Sequence, residues 1–178
     1  MKKEIDIFDH ACEIMKAVKK GVLLTTKSGD TVNSMTISWG TLGIEWGKPI
    51  FTTFVREHRY TKELLDESME FTINIPIGDY DTNITHFCGT QSGRNVDKIS
   101  HLGLTLEQPS VVSAPAIKEF PLTLECRVIY KQEQDKNAIP DDIKKSCYPQ
   151  NVDSDAPLAN KDYHIAYYGE IVKAYIVE

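Results

Sequence analysis

The sequence predicts a mainly β protein, a β-barrel with peripheral helices, built as one domain over residues 1–178. Three observations lead there. Two-residue hydrophobic alternation, the period of a strand with one face in a core, is clearest in Leu122–Lys131. Apolar runs typical of strands, Val22–Thr26, Ile50–Val55 and Glu70–Pro76, lie between turn-forming residues. Helical periodicity is confined to short segments between them. At 178 residues, 41% apolar and 26% charged, the chain can bury one core and is too apolar for disorder.

Taken in order, Phe8–Lys20 places Phe8, Ala11, Cys12, Met15 and Val18 at the spacing of a helix with one buried face. Asp9 starts it and Gly21 ends it. Val22–Thr26 is a first strand, turning at Ser28-Gly29-Asp30. In the second strand, Thr31–Trp39, the positions Asn33, Met35, Ile37 and Trp39 are expected to face the core, and Val32, Ser34, Thr36 and Ser38 the other side. Gly40–Pro49 reads as a loop carrying Trp46. Ile50–Val55 is a third strand, and Thr61–Glu67 a short helix with Thr61 as N-cap and Tyr60 stapled onto Leu65.

Glu70–Pro76 is a strand stopped by its proline. Asp79–Cys88 reads as a helix ending at Gly89, and Asp97-Lys98-Ile99 opens another. Ala116–Phe120 and Leu122–Lys131 are strands. Gln132–Lys161 is polar, holds Pro140, Pro149 and Pro157, and is expected to run outside the barrel as a long excursion. Tyr163–Val177 closes the barrel as one bent strand.

The stretch Asn33–Thr61 carries the chemistry. A strand with hydroxyls and an amide is followed by Arg56-Glu57-His58-Arg59 at the mouth of a helix. A helix N-terminus offers free N–H groups and a partial positive charge, and basic residues beside it strengthen its preference for an anion. The residue types point to a phosphate-bearing small molecule. They equally describe the solvated face of a sheet followed by a basic surface loop, and both readings stand on residue types alone.

The order of the elements is more specific. A strand ending Thr25-Thr26, a strand reading Asn33-Ser34-Met35-Thr36-Ile37-Ser38-Trp39, a third strand, then arginine and a helix opening at Thr61 resemble the flavin reductase-like family, whose fold is the FMN-binding split β-barrel. The resemblance continues through Phe71–Pro76 and Ser92-Gly93-Arg94-Asn95-Val96-Asp97-Lys98, covering roughly Gly21 to Tyr130 with a weaker return at the C-terminus. It implies that Asn33–Trp39 lines the flavin ring and ribityl chain, with Asn33, Ser34, Met35, Thr36, Ser38 and Trp39 as contacts. Arg56, His58, Arg59 and Thr61 then match the phosphate end, where a guanidinium suits bidentate contact. Ser92, Gly93 and Arg94 match a loop bordering the flavin, and Asp97 with Lys98 reads equally well as a structural ion pair.

Other chemistries fall away. The net charge of −6 argues against a nucleic-acid or anionic-membrane partner. No apolar run approaches the ~18 residues that cross a bilayer, and Met1–Asp6 lacks the apolar core of a signal peptide. Cys12, Cys88, Cys126 and Cys147 form no C-x-x-C pair, which suits reduced thiols in a cytoplasmic protein. The five histidines show no metal-ligand spacing, so no metal is expected. Neither a P-loop, nor a G-x-G-x-x-G fingerprint, nor a G-x-S-x-G elbow is present.

The resemblance therefore implies an FMN-binding oxidoreductase, acting as a homodimer and reduced transiently by NADH or NADPH. The flavin would then pass its electrons to a free flavin or another small-molecule acceptor. A flavoredoxin-like carrier working with a redox protein, and a flavin-binding protein without turnover, are the alternatives. His164 is the one candidate catalytic residue, able to orient a nicotinamide or supply a proton. Its flanks, Tyr163 and Ile165, allow a plain strand-surface role as well.

Overall fold

The computed structural model describes residues 1–178. Seven antiparallel strands run in the order β3-β2-β6-β9-β10-β5-β4, with β1 added beside the end of β10. They are β1 (Lys2–Glu4), β2 (Val22–Ser28), β3 (Thr31–Ile37), β4 (Gly40–Glu45), β5 (Lys48–Arg56), β6 (Glu70–Ile75), β9 (Leu122–Glu133) and β10 (His164–Val177). A separate pair, β7 (Leu106–Glu107) and β8 (Ala116–Ile117), packs outside. β3 and β4 end the series and do not pair with each other, so the barrel is split along that line. The helices α1 (Ala11–Lys20), α2 (Tyr60–Ser68), α3 (Thr82–Thr90), α4 (Lys98–Leu102) and α5 (Asp141–Cys147) lie at the periphery. The expected mainly β split barrel is the fold. No helix is long and apolar enough to cross a membrane.

The core inside the barrel joins Leu24, Ile37, Phe51, Phe71, Ile73, Leu124 and Tyr167 from six strands to Ile14 and Val18 of α1. That helix turns differently from expectation. Phe8 and Met15 are exposed and Cys12 faces solvent, while Ile14 is fully buried. Ile7, in the turn before the helix, takes the core place expected of Phe8, so the buried face is set by Ile7, Ile14 and Val18.

Gly40–Pro49, expected as a loop, contains β4 and most of a hairpin. Trp46 and Gly47 both have positive φ, 51° and 69°, as a two-residue primed turn requires. A tryptophan in that conformation is costly, and its ring packs edge-on against Tyr130 at 6.1 Å.

β9 is buried on both faces from Leu122 to Cys126, because the segment before it covers its outer side; beyond Cys126 only Val128 is buried, so the expected alternation through Lys131 is not what the strand shows. Glu125 is fully buried there and accepts the backbone N–H groups of Ser110, Val111 and Val112.

β10 is 14 residues long and bends through register shifts at Tyr168/Gly169 and Ile171/Lys173. At Gly169 a Cβ would sit 2.5 Å from the Phe71 ring and 2.9 Å from the Cys126 Cβ, in the packed core. Gly169→Ala is therefore expected to destabilise the fold by about 2 kcal/mol through overpacking. A denaturation midpoint equal to wild type would show that the barrel relaxes around the methyl group.

Candidate functional site

Two adjoining cavities, of about 340 and 410 Å³, share Met35, Thr36, Arg59, Gly89 and Thr90 and so form one groove. β3 lies along it, at the split in the barrel. One end is polar, lined by Asn33, His58–Thr61, the Gln91–Asn95 loop and Lys98. The other is more apolar, lined by Ile37, Trp39, Phe54, Cys147, Leu158 and His164 among others.

At the polar end, α2 opens one residue earlier than expected. Arg59 is its N-cap, without a side-chain cap bond, and Thr61 lies inside the first turn. The buried Thr61 hydroxyl instead accepts from Asn33 Nδ2 at 2.8 Å, tying β3 to the helix entrance. Tyr60 does not serve as a staple, and its ring lies under the Arg94 guanidinium at 5.4 Å. The loop Ser92–Arg94 closes over this pair. A Cβ on Gly93 would come within 2.2 Å of Asn33 Oδ1, so only glycine allows the approach. Ser92 Oγ accepts from the Arg94 backbone N–H at 3.3 Å. Arg94 donates to the His58 carbonyl at 3.0 Å and is ion-paired with Glu63.

The sequence allows Lys98 as an ion-pair partner for Asp97. Asp97 instead caps α4, accepting from the Ser100 N–H at 3.1 Å. The Lys98 ammonium turns inward, 4% exposed, and donates to the Ser34 carbonyl at 2.7 Å and the Cys88 carbonyl at 3.0 Å. An ammonium has three donors, so one N–H is left beyond these two bonds, in a residue that lines the groove. Burial lowers its pKa to about 8, and Arg59 adds to the effect while Cys88 opposes it. It is a buried cation held by carbonyls, with no carboxylate paired to it. Nothing in the local sequence separates it from a surface lysine.

The remaining predicted residues divide. Met35 and Thr36 line both ends, and the Thr36 hydroxyl donates to the Thr85 carbonyl at 2.6 Å. Ser38 and Trp39 line the apolar end. Ser34 is buried against Thr25, hydroxyl to hydroxyl at 3.0 Å, and its side chain is not in the groove. Arg59 reaches both ends and donates to the Pro157 carbonyl at 2.8 Å. Its pKa is lowered, first by burial and then by Arg56.

Arg56 is at the apolar end and spends three of its five N–H donors on the chain beyond the barrel. Its guanidinium donates to the carbonyls of Asp162 at 2.5 Å, Cys147 at 3.0 Å and Asn160 at 3.4 Å. These bonds fold the 134–163 excursion back onto the barrel, where Cys147, Pro157 and Leu158 wall the groove. The excursion runs outside the barrel, between β9 and β10, and is also part of the groove's wall. His58 pairs with Asp162 at 3.0 Å, and Lys136 with Glu57 at 3.8 Å. Glu57, His58 and Asp162 bring ligand atoms within 4.8 Å of one another.

His164 opens β10 opposite Arg56 and is 6% exposed. It packs on Trp39 with ring centroids 4.8 Å apart, and its Nδ1 lies 2.9 Å from the Tyr148 hydroxyl. Burial, then Arg56 and Arg59, push its pKa down to about 3. It is neutral near pH 7, so no imidazolium is available as an acid there.

The unfolded chain takes up a proton near pH 6.5 and the folded chain only near pH 3, so stability falls as pH is lowered through that window. His164→Gln is expected to lose less stability than wild type between pH 7 and pH 4 by denaturant unfolding. Equal losses would mean that the buried histidine does not contribute.

Comparison with known proteins adds a lineage. A family model described as "Flavin reductase like domain" matches residues 15–178. The chain is 32% identical over 101 residues to an uncharacterised protein of Archaeoglobus fulgidus, a stretch that makes up 57% of this chain and 56% of that protein. It spans about half the length of the curated relatives it matches. Among solved structures it is similar to the flavoredoxin of Desulfovibrio vulgaris (Miyazaki F), at 25% identity and a TM-score of 0.65, over 89% of this chain and 69% of that one. It is also similar to an FMN-binding domain of a flavin reductases-like enzyme from Shewanella baltica, at 17% identity and a TM-score of 0.63, over 99% and 77% of the two chains. At that identity the second likeness concerns the fold.

Proposed function

Since this chain belongs to the flavin reductase-like family, we propose that it binds FMN and works as an oxidoreductase, drawing electrons from NADH or NADPH for a free flavin or another small acceptor. The observation that carries this is the groove itself, with a buried ammonium and a helix N-terminus at one end and an aromatic, more apolar chamber at the other. A phosphate-tailed aromatic ring has that same division. Lys98, Arg59 and the first N–H groups of α2 would hold the phosphate. Asn33, Thr36 and the Ser92–Arg94 loop would flank the polar chain, and Met35, Ser38, Trp39 and His164 the ring. Arg56, with three of its N–H groups on carbonyls of the excursion, would mainly hold the wall.

Bound FMN would supply the hydride and single-electron chemistry. The protein's part is to bind, orient and keep water from the ring. A nicotinamide would be held weakly by the rim of the groove, which still allows transfer if orientation is good. The flavoredoxin-like carrier remains as a second reading. The 25% identity with a flavoredoxin favours it.

We further propose a homodimer, joined through the outer face of the β4–β5 hairpin, where Ile44 and Trp46 are 69% and 58% exposed beside Tyr130. A cytoplasmic setting suits four cysteines of which none is in a disulfide.

Titration of the purified protein with FMN is the first test. One FMN per chain should bind, with a shifted flavin absorption band. A protein that leaves micromolar FMN unperturbed would sink the proposal. Anaerobic stopped-flow mixing with NADH and NADPH then separates the readings. Bleaching that saturates with nicotinamide supports the reductase. Slow bleaching by both, with fast reduction by a ferredoxin, supports the carrier, and failure of all donors leaves flavin binding without turnover.

A further inference from the structure

The contacts around His164 settle which of its ring nitrogens carries the proton. Gln134 Oε1 lies 3.3 Å from the His164 backbone nitrogen and accepts its N–H. Only the amide oxygen can do that, which fixes the orientation of the Gln134 side chain. The Tyr148 hydroxyl lies 2.9 Å from the same oxygen and 2.9 Å from His164 Nδ1. A phenol has one proton, and an amide oxygen can only accept, so Tyr148 donates to Gln134. The contact to Nδ1 must then be donated by the imidazole. A ring that is neutral and protonated at Nδ1 has a bare Nε2.

Tyr148 is well held in this role. It is 3% exposed, stacks on Tyr163 with centroids 4.6 Å apart, and carries the Arg56 guanidinium 5.2 Å from its ring. Arg56 also bonds the carbonyl of the preceding Cys147, so the pin that folds the excursion back is the one that seats the tyrosine. The charged groups nearby are Arg56 and Arg59, which disfavour a second proton on the ring, and Asp162, which favours one. Tyr148, the other titratable group in contact, has its own pKa raised by burial. Since His164 lines the apolar end and spends Nδ1 on Tyr148, Nε2 is the nitrogen left for a ligand.

We infer that Tyr148 and Gln134 are positioning residues that hold His164 as its neutral Nδ1–H tautomer, presenting the groove with a hydrogen-bond acceptor matched to an N–H or O–H of the bound molecule. A carbonyl or carboxylate edge turned toward Nε2 is disfavoured, because two acceptors would face each other in a buried site. The excursion therefore sets specificity at the ring end. That the bound molecule is a flavin rests on the proposal above; the tautomer does not.

The test is a long-range ¹⁵N–¹H correlation spectrum of the ligand-free, ¹⁵N-histidine-labelled protein at pH 7, with His164 assigned by the signals missing from His164→Gln. Nδ1 should read as protonated and Nε2 as bare. A bare Nδ1 in the wild type would overturn the inference, whatever the variants do. In Tyr148→Phe the bare-nitrogen signal should move from Nε2 to Nδ1 in most molecules. Gln134→Glu keeps an acceptor for the tyrosine and should retain the wild-type pattern. A Tyr148→Phe spectrum like wild type would remove both residues from the role. Addition of FMN gives the final arm: on saturation the Nε2 signal should shift while Nδ1 stays protonated. FMN that binds and leaves Nε2 unmoved would overturn the acceptor role. FMN that does not bind at all would overturn the flavin proposal and leave the tautomer result standing.

Discussion

Lys98→Met is expected to lower FMN affinity about 100-fold while changing riboflavin affinity little, since only FMN carries a phosphate. A charge-assisted hydrogen bond in a buried site is worth roughly 1.5–3 kcal/mol, and its upper range corresponds to that factor. The variant should fold. Replacing a buried ammonium by an apolar chain of similar length removes a desolvation cost, which offsets the loss of bonds to the Ser34 and Cys88 carbonyls. Fluorescence titrations with the two flavins read the difference directly. The pH dependence gives an independent check. Free Lys98 loses its proton near pH 8, and a bound anion would hold that proton more tightly. FMN affinity should therefore decline as pH rises beyond 8, with riboflavin unaffected and the decline absent in Lys98→Met. Equal loss of both ligands would place the phosphate elsewhere.

Arg56→Ala should act on the protein before it acts on any ligand. It removes the donor to three carbonyls of the excursion and leaves buried acceptors behind, a change worth about 3 kcal/mol. The 134–163 segment is expected to become sensitive to limited proteolysis under conditions where wild type resists. FMN and riboflavin should weaken together, because the lost wall borders the ring end. Selective loss of FMN would instead show that Arg56 meets the phosphate in solution, as its place before the helix entrance suggests.

The difference between these two cations explains how much of the site was legible. Arg56, His58, Arg59 and Thr61 form a local pattern, and reading them as an anion-binding helix entrance needed only their order. What each side chain does there depends on who else arrives. Arg56 is claimed by carbonyls 91 to 106 positions further along the chain, which no window of sequence contains. Lys98 sits in the first turn of a five-residue helix, and only the packing of that helix against β3 turns it inward. Ser34 looked like its neighbours Thr36 and Ser38. Its hydroxyl faces Thr25 because β3 pairs with β2 in that register.

By itself the sequence determined the mainly β class, the placing of most strands, the basic cluster at the entrance to α2 and the family resemblance. These rest on side-chain period, turn residues and short motifs, which act over a few residues and survive any tertiary arrangement. Tertiary structure alone decided which face of α1 is buried, that Gly40–Glu45 pairs as a strand, and that the excursion folds back to wall the groove. It also decided the charge of the groove's key groups. A lysine and a histidine titrate by their surroundings, and burial among distant residues moved Lys98 to about 8 and His164 to about 3.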